Sequence, residues 1–321
     1  MTEAVAVLGL GSIGLRHARN LRSLGVSVIG FDPLPARRDL VAAEGMATAR
    51  SRDEAIDGSR AVVVATPNLL HLTDLAAAVD AGRHVFIEKP LAHTTVGVAD
   101  ILARARAKHL VVFAGLMLRW HPAVTWAAAR INDGALGELL WGRSICASHL
   151  PSWRPGQDHR VGYASDQKTG GVLFDVIHEF DLLHHLLGAY RVATCTVRCT
   201  GRLGIPSDDL ADAVLAHAGG AQSSLHVDYL TPVPVRVTDV TGTLGRLSID
   251  LIARSATFWR AGSVPELTNF VGSYDEDYVA EMRDFMACMA GEKVPRCSGE
   301  EALTVLEQIV DARRIATLPA A

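Results

Sequence analysis

Val5-Ala6-Val7-Leu8-Gly9-Leu10-Gly11-Ser12-Ile13-Gly14 decides the fold of the first part of this 321-residue chain. An apolar strand runs directly into G-x-G-x-x-G, and a helical stretch over 15–24 follows, closed by Gly25. The glycines of such a turn serve three different purposes. The first permits the tight bend, the second lets backbone approach a pyrophosphate, and the third lets helix and strand pack closely. The phosphate then rests at a helix amino terminus, where N–H groups and the helix dipole favour an anion. A second strand over 26–31 ends at Asp32, a carboxylate suited to a ribose diol. Strand, glycine turn, helix, strand and acid in this order predict dinucleotide binding by Gly9, Gly11, Ser12, Ile13, Gly14 and Asp32. Arg37 and Arg38 follow closely and could meet a 2′-phosphate, so NAD is the expected cofactor and NADP the alternative.

Outward from this turn, strand and helix keep alternating. Helices are predicted over 36–44, 69–81 and 96–108, and strands over 61–65, 85–87 and 110–114. These strands are continuous apolar runs, which belong to a parallel sheet covered on both faces. Residues 1–120 therefore read as a doubly wound Rossmann domain. In such a sheet ligands bind outside the carboxyl ends of the strands, here Gly9 to Gly14, Asp32, Thr66-Pro67-Asn68 and Glu88-Lys89-Pro90. Lys89 stands out because it directly follows a buried apolar strand, and Pro90 is a candidate for a cis bond that aims it.

Beyond His121-Pro122 the texture changes. A helix over 123–131, a strand over 138–148 and a loop rich in Trp, Pro, Gly and Arg precede strand candidates over 194–200, 212–217, 223–230, 233–240, 246–251 and 256–259. Turn signals such as Gly219-Gly220 and Gly242-Thr243 separate them, which predicts a mostly antiparallel sheet. Helices return over 277–289 and 299–316, so 121–321 reads as a second, α+β domain with an open sheet. The fold class is α/β. An open sheet with one exposed face commonly finds a partner, and a homo-oligomer is expected.

Gly170 to His185 is a helical-looking run with an unusual polar side. At roughly 100° per residue, Val172, Val176, Phe180, Leu183 and Leu187 share an apolar stripe, His178, Asp181 and His185 lie opposite, and Asp175 flanks them. A solvated helix face is normally built from long charged side chains. Short acids beside imidazoles, which titrate near neutrality, instead suggest a wall facing a polar cleft.

Composition describes an ordinary soluble enzyme, with 49% hydrophobic residues and a formal net charge of −4. No basic run indicates nucleic acid, and no apolar segment approaches bilayer length. Met1-Thr2-Glu3 opens into a strand and not a basic leader, so a cytoplasmic protein is expected. The five cysteines are scattered without C-x-x-C, which favours free thiols over disulfides or zinc.

The ordered set Gly9-Leu10-Gly11-Ser12-Ile13-Gly14, Ala65-Thr66-Pro67-Asn68 with His71, Glu88-Lys89-Pro90, and Gly170-Gly171 with Asp175, His178 and Asp181 resembles the Gfo/Idh/MocA oxidoreductase family. The resemblance runs from about residue 5 to about residue 318. It implies a Rossmann domain joined to a sheet domain that covers the nicotinamide and binds a sugar, cyclitol or similar polyol. Thr66, Asn68, His71, Glu88, Lys89 and Arg37 would join the glycine turn and Asp32 around the cofactor. Lys89, Asp175 and His178 would surround the reacting carbinol. Arg119, Asp181 and the loop residues Trp153, Arg154 and Arg160 are the expected substrate contacts.

Two departures are visible. Many relatives separate the Asp and His by four positions, whereas Asp175 and His178 are three apart; an i,i+3 pair still shares a helix face, and the His-x-x-Asp pairing of His178 with Asp181 is kept. The usual triple glycine is Thr169-Gly170-Gly171. The Asp175 to Asp181 pattern, with Trp153-Arg154-Pro155-Gly156-Gln157-Asp158 before it, looks like a branch associated with nucleotide sugars or surface sugars.

The chemistry suits these residue types. Oxidising an alcohol by hydride transfer requires a base for the hydroxyl proton, a role for His178, and a cation beside the developing alkoxide, a role for Lys89. Asp175 would orient the imidazole or hold a neighbouring hydroxyl. Hydride transfer to a nicotinamide needs no metal, so none is expected, although His178, Asp181 and His185 are of ligand type. Two other functions remain open on the sequence: a catalytically idle dinucleotide-binding sensor, and non-redox net chemistry on tightly bound NAD.

Overall fold

The computed structural model describes residues 4–316, so the expected start at Met1-Thr2-Glu3 and the expected limits at 1 and 321 lie outside the described residues. Among the described residues, contacts divide the chain into two units, one of 4–117 with 273–306 and one of 118–272 with 307–316.

In the first unit the apolar runs become β1 (Val5–Leu8), β2 (Val28–Phe31), β3 (Ala47–Thr48), β4 (Ala61–Val64), β5 (His84–Glu88) and β6 (Val112–Gly115). All pair in parallel in the order β3-β2-β1-β4-β5-β6. Strand order reverses at β1 and β4, the place where open parallel sheets form a ligand crevice. Every residue of β1 and β4 is fully buried, which is why both strands read as unbroken apolar runs. The crossover helices are α1 (Ser12–Ser23), α2 (Pro35–Ala43), α3 (Arg52–Asp57), α4 (Asn68–Asp80) and α5 (Val98–Ala107). The sequence pattern misses β3 and α3, which at two and six residues are too short to show a period.

The second unit holds α6 (Pro122–Asn132), β7 (Leu139–Ala147), α7 (Val172–Asp175), α8 (Ile177–Leu187) and β8 (Tyr190–Arg198). Six further strands follow: β9 (Leu210–His217), β10 (Gln222–Asp228), β11 (Val235–Gly242), β12 (Gly245–Asp250), β13 (Ser255–Arg260) and β14 (Glu266–Asn269). They form one eight-stranded sheet in the order β14-β13-β12-β11-β7-β10-β9-β8. Only the β7 and β10 pair is parallel, so the sheet is mostly antiparallel, as the turn signals predict. Burial alternates along β9 and β10, and α8 lies against β7, where the Leu187 side chain would meet a Cβ added to Gly142 at 3.1 Å.

Two expectations need correction. The run over 170–185 is not one helix. It breaks at Val176, whose φ of −97° and ψ of 35° leave the helical region. β-Branched Val172, Val176 and Ile177 weaken the helix locally, and Asp208 draws the first turn of α7 to itself by accepting from the Val172 and Leu173 N–H groups. Asp175 and His178 therefore belong to different helices, and their spacing is not that of an i,i+3 pair on one continuous helix. The second correction concerns α9 (Tyr274–Met289), in a stretch expected to belong with the sheet domain, which groups with the first unit. Phe285 of α9 packs at 5.7 Å from both Phe86 and Phe113, completing the apolar centre of the parallel sheet. The last helix is α10 (Gly299–Ile315). Among the described residues no helix is long and apolar enough to cross a membrane.

Candidate active site

The glycine turn shows why these positions are glycine. Gly9 has φ +82°, and a Cβ there would lie 2.6 Å from the Ala65 carbonyl oxygen. A Cβ on Gly14 would lie 1.7 Å from the Gly9 carbonyl oxygen, so the turn, α1 and the end of β4 interlock at backbone distance. Gly11 differs: a Cβ there would meet nothing within 4 Å. Gly11 is the N-cap of twelve-residue α1, offers no side chain to the helix start, and is followed by no acid in the first turn. Open space beside an uncapped helix amino terminus fits the pyrophosphate of a dinucleotide.

Asp32 closes this region from β2. Its Oδ2 accepts from the Leu10 N–H at 2.8 Å and from Arg37 Nη1 at 3.0 Å, and its Oδ1 accepts from the Leu34 N–H at 3.0 Å. Burial acts to raise its pKa, but the two backbone donors and the Arg37 guanidinium outweigh burial and hold it below the ordinary carboxylate range. Arg38 Nη1 donates to the Asp32 carbonyl oxygen at 2.5 Å. Both arginines that could have met a 2′-phosphate thus attend Asp32 itself.

The two other strand-end turns are tied together by His71 of α4. Its Nδ1 lies 2.8 Å from the Pro90 carbonyl oxygen and its Nε2 lies 2.8 Å from the Thr66 carbonyl oxygen. Burial holds this imidazole below its ordinary pKa despite the two carbonyls. Thr66 Oγ1 donates to Asp74 at 2.8 Å, and Asn68 is buried at the start of α4. The Lys89-Pro90 peptide is cis. Glu88, expected at the cofactor, has its carboxylate 2.6 Å from His17 Nε2 and accepts from the Lys89 N–H at 3.1 Å. Burial pushes its pKa up, and the His17 hydrogen bond with the neighbouring charges more than reverses this. Glu88 thereby fastens the Lys89 turn to α1, and the lysine itself is half-buried. His17, fully buried three residues past Gly14, is missing from the sequence reading; a histidine early in α1 is the only signal for it.

In the second unit, Asp175 ends α7 and His178 lies in the first turn of α8. Asp175 Oδ2 accepts from the Tyr229 hydroxyl at 3.0 Å. Tyr229 is fully buried, and its ring meets the Trp153 ring edge-on at 5.5 Å. Burial and the Asp175 carboxylate raise the phenol far above its ordinary pKa, so it stays a proton donor. Trp153, expected at the substrate, also donates from Nε1 to Ser148 at 2.8 Å, which anchors its loop beside this pair. Tyr229 lies at the end of a predicted strand, and nothing in the local sequence marks it.

Arg119 and Asp181, both expected at the substrate, meet each other. Arg119 Nη2 donates to Asp181 Oδ1 at 2.7 Å and its Nε reaches both carboxylate oxygens, with the two side chains 1% and 0% exposed. A carboxylate this deeply buried needs such a fork, because breaking the pair would leave an uncompensated charge. Glu179 is likewise fully buried against Arg236 at 2.6 Å. Asp181 is thus satisfied internally and Glu179 is held through one carboxylate oxygen, while the first turn of α8 also carries the His178 imidazole. Arg160 is held by Asp158 of its own exposed loop at 2.8 Å and keeps that carboxyl down at about 2, while Arg154 is exposed. Among the described residues no group of three or more His, Cys, Asp or Glu side chains is placed to hold a metal ion.

Comparison with known proteins matches both parts of the chain. Residues 4–116 match the model of the oxidoreductase family with an NAD-binding Rossmann fold, and residues 124–248 match the GFO/IDH/MocA C-terminal domain. Inositol 2-dehydrogenase 1 of Saccharopolyspora erythraea is 30% identical over 276 residues, covering 82% of this chain and 77% of that protein. The 2,7-anhydro-N-acetylneuraminate hydratase of Escherichia coli is 26% identical over 256 residues, covering 76% of this chain and 67% of that protein. A solved structure of levoglucosan dehydrogenase in complex with NADH and levoglucosan shares 19% identity, covers 98% of each chain and superposes with a TM-score of 0.88, a likeness of fold.

Proposed function

The chain belongs to the Gfo/Idh/MocA oxidoreductase family, with an NAD-binding Rossmann fold, and we propose that it transfers a hydride between NAD and a carbinol of a sugar or cyclitol, nucleotide-sugar derivatives included. The observation that carries this most is the retention of Lys89, Asp175 and His178 in a chain whose glycine turn fits a dinucleotide. The inositol dehydrogenase relative supports a polyol as substrate.

In the oxidative direction the His178 imidazole takes the hydroxyl proton while the Lys89 ammonium stabilises the developing alkoxide. Asp175, its carboxylate held by Tyr229, hydrogen-bonds a neighbouring hydroxyl or the imidazole. Bound NAD supplies the hydride acceptor. The carbinol becomes a carbonyl, its C–H hydrogen leaves as hydride and its O–H hydrogen leaves as the proton on His178. The reverse reaction returns both. Asp32, already charged and held by backbone donors, favours a ribose diol over a 2′-phosphate, which makes NAD the cofactor used in place of NADP. A cytoplasmic homo-oligomer completes the proposal.

The hydratase relative motivates a second reading, in which substrate is oxidised and reduced again within one turnover and no NADH accumulates. Absorbance at 340 nm with NAD and a panel of inositols, sugars and nucleotide sugars, followed by NMR of the products, tests both. NADH formed in step with product supports the dehydrogenase. Product without NADH supports the second reading, and tight NAD binding without any product across the panel would leave the idle sensor.

A further inference from the structure

We propose that Arg313, near the end of α10, is a positioning residue for the reaction, setting the place of Asp175 through the turn that precedes α7. This rests on the assignment of Asp175 to the reacting centre. Arg313 Nη1 donates to the Lys168 carbonyl oxygen at 3.0 Å, and Nη2 donates to the Gln167 and Gly170 carbonyl oxygens at 3.2 and 3.4 Å. The same Nη2 donates to Asp208 Oδ1 at 2.8 Å, and the guanidinium stands 5.0 Å from the centre of the Phe174 ring. One planar cation therefore gathers three carbonyls of the turn, a carboxylate and an aromatic face of α7.

Asp208 passes the constraint on. Its Oδ2 accepts from the Leu173 N–H at 3.1 Å, and its carbonyl oxygen accepts from the Val172 N–H at 2.9 Å. Two first-turn donors of α7 are thus satisfied by the residue that Arg313 grips. Gly171 lets the approach happen: its φ is +84°, and a Cβ there would lie 2.2 Å from Asp208 Oδ1. From this turn the path to Asp175 is one hydrogen bond long, the Asp175 N–H donating to the Gly171 carbonyl oxygen at 3.0 Å. A helix of four residues has no stiffness of its own beyond these contacts. Movement of the turn becomes movement of the carboxylate. Charge-assisted hydrogen bonds in a fork are the contacts that hold geometry best, and a lysine could not make them from one plane.

Arg313→Lys and Arg313→Ala test this with two readouts. Hydrogen exchange followed by mass spectrometry needs no substrate: peptides covering 166–176 should lose protection in Arg313→Ala, less so in Arg313→Lys, while peptides of β9 and β10 keep theirs. On a compound that the wild type turns over, kcat of Arg313→Ala should fall by about 10²-fold, the cost of a misplacement of roughly 1 Å. KM for NAD should hold, and added guanidinium ion should restore part of kcat. Asp208→Asn on the Arg313→Ala background should add little further loss. If Arg313→Ala does not fold, Arg313→Lys carries both readouts. Unchanged exchange over 166–176 overturns the clamp, and lost protection with undiminished kcat overturns the positioning role. A wild type inert across the panel refutes the dehydrogenase and the positioning role together, while the exchange result still decides whether the clamp exists.

Discussion

Lys89 follows a strand of a parallel sheet, whereas Asp175 ends a four-residue helix braced by side chains from far along the chain. β5 lies between β4 and β6, so its end is placed by backbone pairing, and Glu88 and His71 only trim the turn. α7 has no such frame. Its turn is held by Asp208 across 35 residues of sequence and by Arg313 across as many as 146. Two groups assigned to one proposed site are thus positioned by different means, one by a ladder that any apolar strand would join and one by a few specific side chains. Substitutions that spare the chemistry should therefore hurt the second region more than the first.

The largest effects should come from the reacting groups themselves, where the two regions behave alike. Lys89→Ala and His178→Ala should each lower turnover by at least about 10²-fold while NAD affinity and melting temperature hold, and the double variant should lose less than the product of the two. Steady-state rates at 340 nm and fluorescence titration of NAD check this; near-normal turnover in either variant removes that residue from the mechanism.

A paired glycine experiment separates the regions. Gly171→Ala forces a side chain into a left-handed backbone and against Asp208, and should destabilise the protein by about 1–3 kcal/mol as well as slow turnover. Gly11→Ala points into open space, so stability in urea should change by less than about 1 kcal/mol while NAD affinity falls. Equal unfolding midpoints for the two variants would erase the distinction.

Tyr229→Phe deletes one hydrogen bond to Asp175 and keeps the ring against Trp153. Stability should fall by about 1 kcal/mol, and kcat should fall by less than in Lys89→Ala, with the NAD dissociation constant unchanged. A loss as large as that of His178→Ala would make the phenol a participant and not a support.

The smallest effect is a pH dependence confined to the second region. His226 of β10 lies 2.8 Å from Asp212 and 2.9 Å from Asp228, and Asp228 also accepts from the Leu230 and Thr231 N–H groups just past Tyr229. Burial works to lower the imidazole pKa, but the two carboxylates outweigh it and the pKa is raised. The stabilisation is therefore full below the ordinary histidine value of about 6.5 and is lost as pH rises through the raised value. Thermal melts from about pH 6 to about pH 9 should show this decline in the wild type and less of it in His226→Gln; parallel curves would remove His226 as a brace.

The amino-acid sequence by itself determined the glycine turn, the parallel strands with Asp32 and Lys89 at their ends, the change to a mostly antiparallel sheet and the family. Each of these is local or periodic: a strand, a turn and a capping position are written within a few consecutive residues, and burial on both faces leaves an unbroken apolar run. Tertiary structure alone decided the break at Val176, the return of α9 to the first unit, the burial of Asp181 against Arg119, and the support of Asp175 by Tyr229 and of its turn by Arg313. None of these has a period. A buried carboxylate must find a cation or a donor wherever the fold brings one, and the partner can stand 62 or 105 residues away with no trace in the pattern around either residue.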